Sequence, residues 1–313
     1  MLSTINIIYD ENKEAVLPQG CTLEKALENL PPRSPLPLAA IVNNEIQEMN
    51  YRLYSNSHIK WLDYTESGGH RIYKRSLIFV MMVACQRLFP DLALHVSHTL
   101  DNGIYCYLEG EKKAPDDYLL CLEKEMQKIV ADNLPIHSNK INQEDAISFF
   151  RSENKNEKAD LIAMRNKDTI NLYTLDNSSE YFFGRMANKT GLLHNFRLLS
   201  FDEGFVLRLP DQKDIGFNTG KFEEPKKLQA TLKEYKQFGS LLGVETVSDL
   251  NFLNKTGGLP ELGLVAETMQ ERSLHNISDK IAADFPKTRL VLISGPSSSG
   301  KTTFTHRLGI QFR

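Results

Sequence analysis

This sequence is poor in the residues that usually announce chemistry. Its 313 residues include four cysteines and one tryptophan. Cys21, Cys85, Cys106 and Cys121 lie far apart and form no C-x-x-C pair. They read as reduced, mostly buried thiols of a cytoplasmic chain rather than as a zinc site or a disulfide framework. Long hydrophobic runs are also missing. The longest, Leu77 to Cys85, is far too short to span a bilayer. The start, Met1 to Thr4, soon reaches Asp10 and Glu11 and has no basic stretch followed by an apolar one, so it is not a signal peptide. Neither sign of charge dominates. Lys and Arg number 37 against 40 Asp and Glu, a net charge of −3, so nothing global draws the chain to nucleic acid or to an anionic membrane. Repeats and low-complexity segments are absent, and after Asp284 there is no Asp or Glu at all.

What is present is ordinary for a globular chain of two or three domains: 41% hydrophobic and 25% charged residues. Residues 1–64 read as a small α+β unit. Thr4 to Tyr9 and Glu14 to Leu17 pair around the turn Asp10-Glu11-Asn12-Lys13, and Thr22 caps a helix over Leu23 to Leu30. Leu38 to Val42 and His58 to Leu62 are further strands, with a turn at Asn43-Asn44, where Asn tolerates positive φ. Residues 65–222 form a second α+β unit. Gly68-Gly69 precede a long buried helix, His70 to Phe89, and Asp101-Asn102-Gly103 is a hairpin turn between Leu92 to His98 and Ile104 to Leu108. Pro115 opens another helix, Ala146 to Arg151 is helical, and Thr169 to Leu175, Tyr181 to Phe183, Asn195 to Leu199 and Phe205 to Leu209 have strand character. Residues 223–288 are a charged helical connector, broken at Gly257-Gly258-Leu259-Pro260.

The most specific motif comes last. Residues 295–302 read G-P-S-S-S-G-K-T, the pattern of a phosphate-binding loop. Leu290 to Ile293 before it suits a buried parallel strand, and Thr303 to Phe312 after it suits a helix that would present its N-terminus to a phosphate. Residues 289–313 are thus expected to be the first strand, loop and helix of an α/β nucleotide-binding domain. Gly295, Pro296, Ser297, Ser298, Ser299, Gly300, Lys301, Thr302 and Thr303 are the candidate ATP site, with backbone amides from Gly295 to Gly300 cradling the phosphates. Lys301 is the candidate catalytic residue, and Thr302 is the candidate Mg²⁺ ligand. Phosphoryl transfer also needs an acid to help hold the metal. None follows Asp284, so the chain is expected to be an inactive fragment of a longer protein.

The first unit, with its Val42-Asn43-Asn44-Glu45 turn, resembles a TGS domain, which implies a ubiquitin-like β-grasp fold. The second resembles the editing-type domain that follows TGS in threonyl-tRNA synthetases. That domain carries H-x-x-x-H at the start of a long helix and C-x-x-x-H before a Thr-Gly turn. Here the four positions are His70, Lys74, Phe182 and Met186, ahead of Thr190-Gly191. TGS, this domain and a G-P-S-S-S-G-K-T-T loop in that order resemble bacterial uridine kinase-like proteins. The resemblance implies ATP-dependent phosphorylation of a nucleoside, uridine foremost, by the native-length protein.

Only one of the four motif positions survives. Lys74 is an ammonium without a lone pair, and Phe182 and Met186 replace a thiolate and an imidazole, so none of the four is expected to bind metal. The alternative function is therefore a non-catalytic RNA- or ligand-sensing module built from degenerate synthetase-like domains. Arg71, Lys74 and Arg75, Lys112-Lys113 and Lys226-Lys227 are small basic clusters, and Tyr51, Tyr54 and Trp61 are candidate base-stacking residues. His95 and His98 are three apart on a strand and point to opposite faces, which is unsuited to a shared metal. A TGS-linked GTPase is a weaker third reading, because the loop lacks the Asn-x-Gly-Lys-Ser form and no guanine-reading motif is present.

Overall fold

The computed structural model describes residues 3–10, 12–109, 116–213, 219 and 221–313. The expected helix start at Pro115, the Lys112-Lys113 cluster and Glu11 of the first turn lie outside the described residues. The chain is a mixed α+β structure with several sheets, and it divides into two compact units. One comprises residues 1–149 and 166–229; the other comprises 150–165 and 230–313.

The first unit begins with β1 (Thr4–Tyr9) and β2 (Lys13–Pro18), antiparallel around Asp10 and Asn12, both at positive φ. Helix α1 (Leu23–Glu28) follows, and the Thr22 hydroxyl accepts from the Lys25 amide as its N-cap. Then come β3 (Ala39–Val42), β4 (Glu45–Glu48) and β5 (Ser57–Leu62). Asn43 and Asn44 sit at φ 47° and 70°, as the turn reading requires. The five strands form one sheet in the order β2-β1-β5-β3-β4, with β1 and β5 parallel at its centre. Leu23 and Ala26 of α1 are buried with Ile5, Ile7, Val42 and Ile59 in one apolar cluster. Strand β4 is not among the strands expected from the sequence, which run from the Asn43-Asn44 turn straight to His58 to Leu62.

Helix α2 (Ser67–Leu88) is the axis of the larger core. Ile72, Tyr73, Leu77, Phe79, Val80, Met81 and Ala84 are all buried, which explains a sequence apolar on nearly every side. The helix starts earlier than expected, so both glycines lie in its first turn. A side chain at Gly69 would place its Cβ 1.8 Å from the Asp63 carbonyl oxygen, so only Gly fits there. After α2 the first unit continues with β6 (Leu94–Thr99), β7 (Gly103–Leu108), α3 (Asp116–Ala131), β8 (Ile136–Asn142), β9 (Thr169–Leu175), β10 (Ser178–Tyr181), β11 (Arg197–Phe201) and β12 (Gly204–Arg208), while α4 (Gln143–Ser152) leads into the second unit, to which α5 (Asn156–Ala163) belongs. Two antiparallel sheets result, β11-β12-β7-β6 and β10-β9-β8.

Several expectations need correction. The strand expected at Tyr181 to Phe183 lies at Ser178–Tyr181, because Asp176 at φ 53° closes a tight hairpin onto β9. Strands β11 and β12 are likewise shifted from the expected Asn195 to Leu199 and Phe205 to Leu209, around a turn with Asp202 at φ 53°. Strand β8 was unforeseen: Ile-His-Ser-Asn-Lys-Ile-Asn is too polar to stand out, as suits the edge strand it is.

Residues 226–283 form α6 (Lys226–Leu241), α7 (Val247–Thr256) and α8 (Leu259–Ala283), with Gly257 at φ 80° ending α7. Helix α9 (Lys301–Gln311) ends the chain and packs on α8, where Arg307 binds Glu271. The expected strand Leu290 to Ile293 is not formed. Leu290 and Leu292 are 74% and 83% exposed. Among the described residues the second unit has no strand to pair with it, and a parallel strand is not stable without neighbours. Among the described residues no helix is long and apolar enough to cross a membrane.

Candidate functional site

The first turns of α2 bring His70 and Lys74 onto one helical face. His70 stacks obliquely against Tyr64 at 5.0 Å, and its Nδ1 is buried without a hydrogen-bond partner. Burial holds its imidazole below the usual His range, and the Lys74 charge lowers it further against the opposing pull of Asp211. The Lys74 ammonium donates to the Thr99 hydroxyl at 2.6 Å, and burial lowers its pKa.

The other two motif positions lie on the loop after β10, against the same core. Phe182 packs on Phe79 at 5.2 Å. Met186 is fully buried. A ring of polar contacts fixes this loop. Glu48, at the end of β4, accepts from the Tyr173 hydroxyl at 2.6 Å and from the Met186 amide at 3.3 Å. Ser76 accepts from the Ala187 amide at 2.8 Å, and Arg75 donates to the Arg185 carbonyl. Gly184, at φ 107°, passes so close to the Arg75 guanidinium that an added Cβ would lie 2.9 Å from it. Thr190 closes the loop, its hydroxyl accepting from the Leu134 amide and donating to the Ile129 carbonyl.

Thus His70 and Lys74 come together, Phe182 and Met186 are plugged into core, and neither pair offers a set of metal-ligating atoms. Glu48, Tyr173, Ser76 and Arg185 were missed in the sequence. A carboxylate at the end of a short strand reads as solvated, and only the pairing of strands far apart in the chain shows its partner.

The basic cluster also dissolves in three dimensions. Lys74 and Arg75 are turned onto neighbours and only Arg71 is exposed. Lys226 pairs with Glu224 at 3.3 Å. Of the candidate stacking residues, Trp61 is core at 5% exposure, whereas Tyr51 and Tyr54 are 40% and 63% exposed between β4 and β5. His95 stacks on Tyr107 and meets Glu109, and His98 meets Gln229, so the two imidazoles serve different neighbours.

At the other candidate site, Ser298 and Gly300 take positive φ, 58° and 76°, and α9 starts at Lys301. The Lys301 ammonium folds over the loop and donates to the Pro296 carbonyl and, at 3.4 Å, to the Ser299 hydroxyl. Thr302 and Thr303 are exposed in the first turn of α9.

No protein-family model matches the chain. A threonine–tRNA ligase of Syntrophomonas wolfei is 23% identical over 262 residues, 78% of this chain and 40% of the relative. One from Acetivibrio thermocellus is 26% identical over 184 residues, 58% of this chain and 29% of the relative. One from Listeria welshimeri is 30% identical over 164 residues, 52% of this chain and 26% of the relative. The chain is similar to threonine–tRNA ligases. It spans from about a quarter to two fifths of the length of these curated relatives.

This likeness supports the synthetase-like half of the sequence reading and corrects the other half. The expected nucleoside kinase, with uridine as its substrate, is overturned: the relatives are aminoacyl-tRNA ligases. The expectation rested on the order of a TGS-like unit, an editing-like unit and a phosphate loop, whereas the similarity found, over more than half of the chain, is to ligases.

Proposed function

We propose that this chain is a non-catalytic sensing module assembled from threonyl-tRNA-synthetase-like parts, with RNA as its ligand. Residues 1–64 are a TGS-like β-grasp domain and 65–222 an editing-like domain with a degenerate site. Residues 223–288 are a helical connector, and 289–313 carry a phosphate loop. The observation that carries this reading is the filling of the motif positions: Met186 is buried in the core, Phe182 lies on Phe79, and Lys74 is tied to Thr99. A site so filled binds no water-activating metal. The names of the relatives support RNA as the ligand, and Tyr51 and Tyr54 supply exposed rings on which bases can stack.

The phosphate loop is a second sensing site in this reading. Its positive-φ residues and the N-terminus of α9 suit a polyphosphate. Bound ATP with Mg²⁺ would supply the negative charge that Lys301 neutralises. Thr302 would be a metal ligand, and backbone N–H groups from Gly295 to Gly300, Pro296 excepted, would hold phosphate oxygens. The test of the main reading is tRNA binding by the whole chain at about 50 and 200 mM salt. Binding that weakens with salt, and that falls about tenfold in Tyr54→Ala, is the expected result. Absence of binding at the lower salt refutes it.

A further inference from the structure

In place of the basic run in the sequence, the fold gathers a different set of cations. Lys74 turns away to Thr99. Arg71 and Arg75, one turn apart, share a face of α2. Arg185 joins them from the loop after β10: Arg75 donates to its carbonyl, and the Arg75 guanidinium lies against Gly184. What these three side chains lack is an acid. The Arg71 Nε donates to the Ser67 carbonyl at 3.3 Å, and Arg185 donates to the Gln47 side chain at 3.4 Å. All these acceptors are neutral oxygens, and among the described residues no carboxylate forms an ion pair with any of the three arginines. Glu48, whose charge Arg75 feels, is taken by the Tyr173 hydroxyl and the Met186 amide. Burial lowers the pKa of Arg75, and the Arg71 charge adds to that against the pull of Tyr173 and Glu48.

A guanidinium carries a fork of N–H donors matched to phosphate oxygens, and each of these three spends one on the protein. The same loop adds a ring. Phe183, 74% exposed, immediately precedes Gly184 and Arg185 and meets Tyr181 edge to face at 6.2 Å. Among the described residues no other aromatic ring of the first unit is as exposed. We propose that Arg71, Arg75 and Arg185 hold a phosphate of single-stranded RNA while the adjoining base stacks on Phe183. The proposal rests on the RNA reading above and gives it a site in addition to Tyr51 and Tyr54. A single strand fits better than a duplex, because only an unstacked base can lie on a protein ring.

The experiment is fluorescence anisotropy of a labelled single-stranded RNA of mixed sequence on the whole chain, between about 50 and 200 mM salt. Arg71→Gln and Arg185→Gln are each expected to weaken binding about tenfold. Each should also lower the slope of log affinity against log salt by about 0.7, the effect of one lost phosphate contact. Phe183→Ala is expected to weaken binding about tenfold and leave the slope unchanged. Lys128→Gln, which removes an exposed charge from α3, should change affinity by less than about twofold. Arg71→Gln and Phe183→Ala alter exposed side chains and should leave the melting temperature unchanged. RNA binding that survives all three substitutions overturns this site and leaves the RNA reading standing. No binding by the unaltered chain at the lower salt overturns both. Loss in the arginine variants with Phe183→Ala unaffected marks a site for free phosphate and overturns the RNA assignment. A loss in Lys128→Gln as large as in Arg71→Gln reduces the effect to general charge and overturns it too.

Discussion

The contact between Glu48 and Tyr173 makes the sharpest claim about how the first unit is held together. Glu48 ends a strand of the N-terminal sheet, and Tyr173 lies in β9, 125 residues later. Both are nearly buried, at 7% and 1% exposure. The phenol donates to the carboxylate at 2.6 Å and is also within 3.0 Å of the Gly184 carbonyl. Removing a hydrogen bond to a charged group costs about 1.5–3 kcal/mol. Tyr173→Phe should therefore lower stability by about 2 kcal/mol, or roughly 4–8 °C for a cooperative unit of this size. Glu48→Ala should cost more, because it also strips the Met186 amide of its acceptor. The double variant should cost less than the sum of the singles, with about 1–2 kcal/mol of coupling. Thermal unfolding followed by near-ultraviolet circular dichroism reads out all four proteins. Single effects that simply add, or a loss below about 1 °C in Tyr173→Phe, would refute the idea that this bond ties the N-terminal sheet to the core of α2.

Gly69→Ala should destabilise the first unit by about 3 kcal/mol, since the new methyl meets backbone that cannot step aside; urea unfolding measures it. Burial holds His98 and His70 below the usual His pKa, so the folded chain keeps them neutral while the unfolded chain gains protons from about pH 6.5 downward. Stability should be full above that point and fall as the pH drops. His98→Gln should flatten the fall in melting temperature between about pH 7 and pH 5. An Ellman titration of the native chain should label the exposed Cys121 first, while Cys85 and Cys106 stay protected until unfolding; burial pushes the Cys85 thiol up to about 11. Lys301→Ala should reduce binding of a fluorescent ATP analogue by about tenfold or more, and undiminished binding would remove the loop as a phosphate site.

Much of the local structure was legible because it depends on neighbours in sequence. The Asn43-Asn44 turn, the Thr22 cap, strand β9 and the Gly257 stop all follow from residues within a few positions. The errors came where distant pairing decides. Strand β8 is polar enough to pass for a loop, and only its ladder with β9 makes it a strand. Leu290 to Ile293 has the right composition but no partner, so composition misled. At the candidate site, the substitutions at 74, 182 and 186 were readable, but their consequence was not. That Arg75 would turn inward to the Arg185 carbonyl, or that Glu48 would cap the loop, has no signature in the sequence.

Met186 also limits what single substitutions can do to this loop. It lies fully buried against α2, and its own amide is held by a carboxylate from another sheet. A histidine placed there would have to bury an imidazole among apolar side chains, at a cost of roughly 2–7 kcal/mol without a new partner. A histidine at position 74 would meanwhile abandon the Thr99 hydroxyl. Each single step toward a polar pocket is uphill until several residues change together. Packing here works as a ratchet, making the filled state of the loop self-preserving.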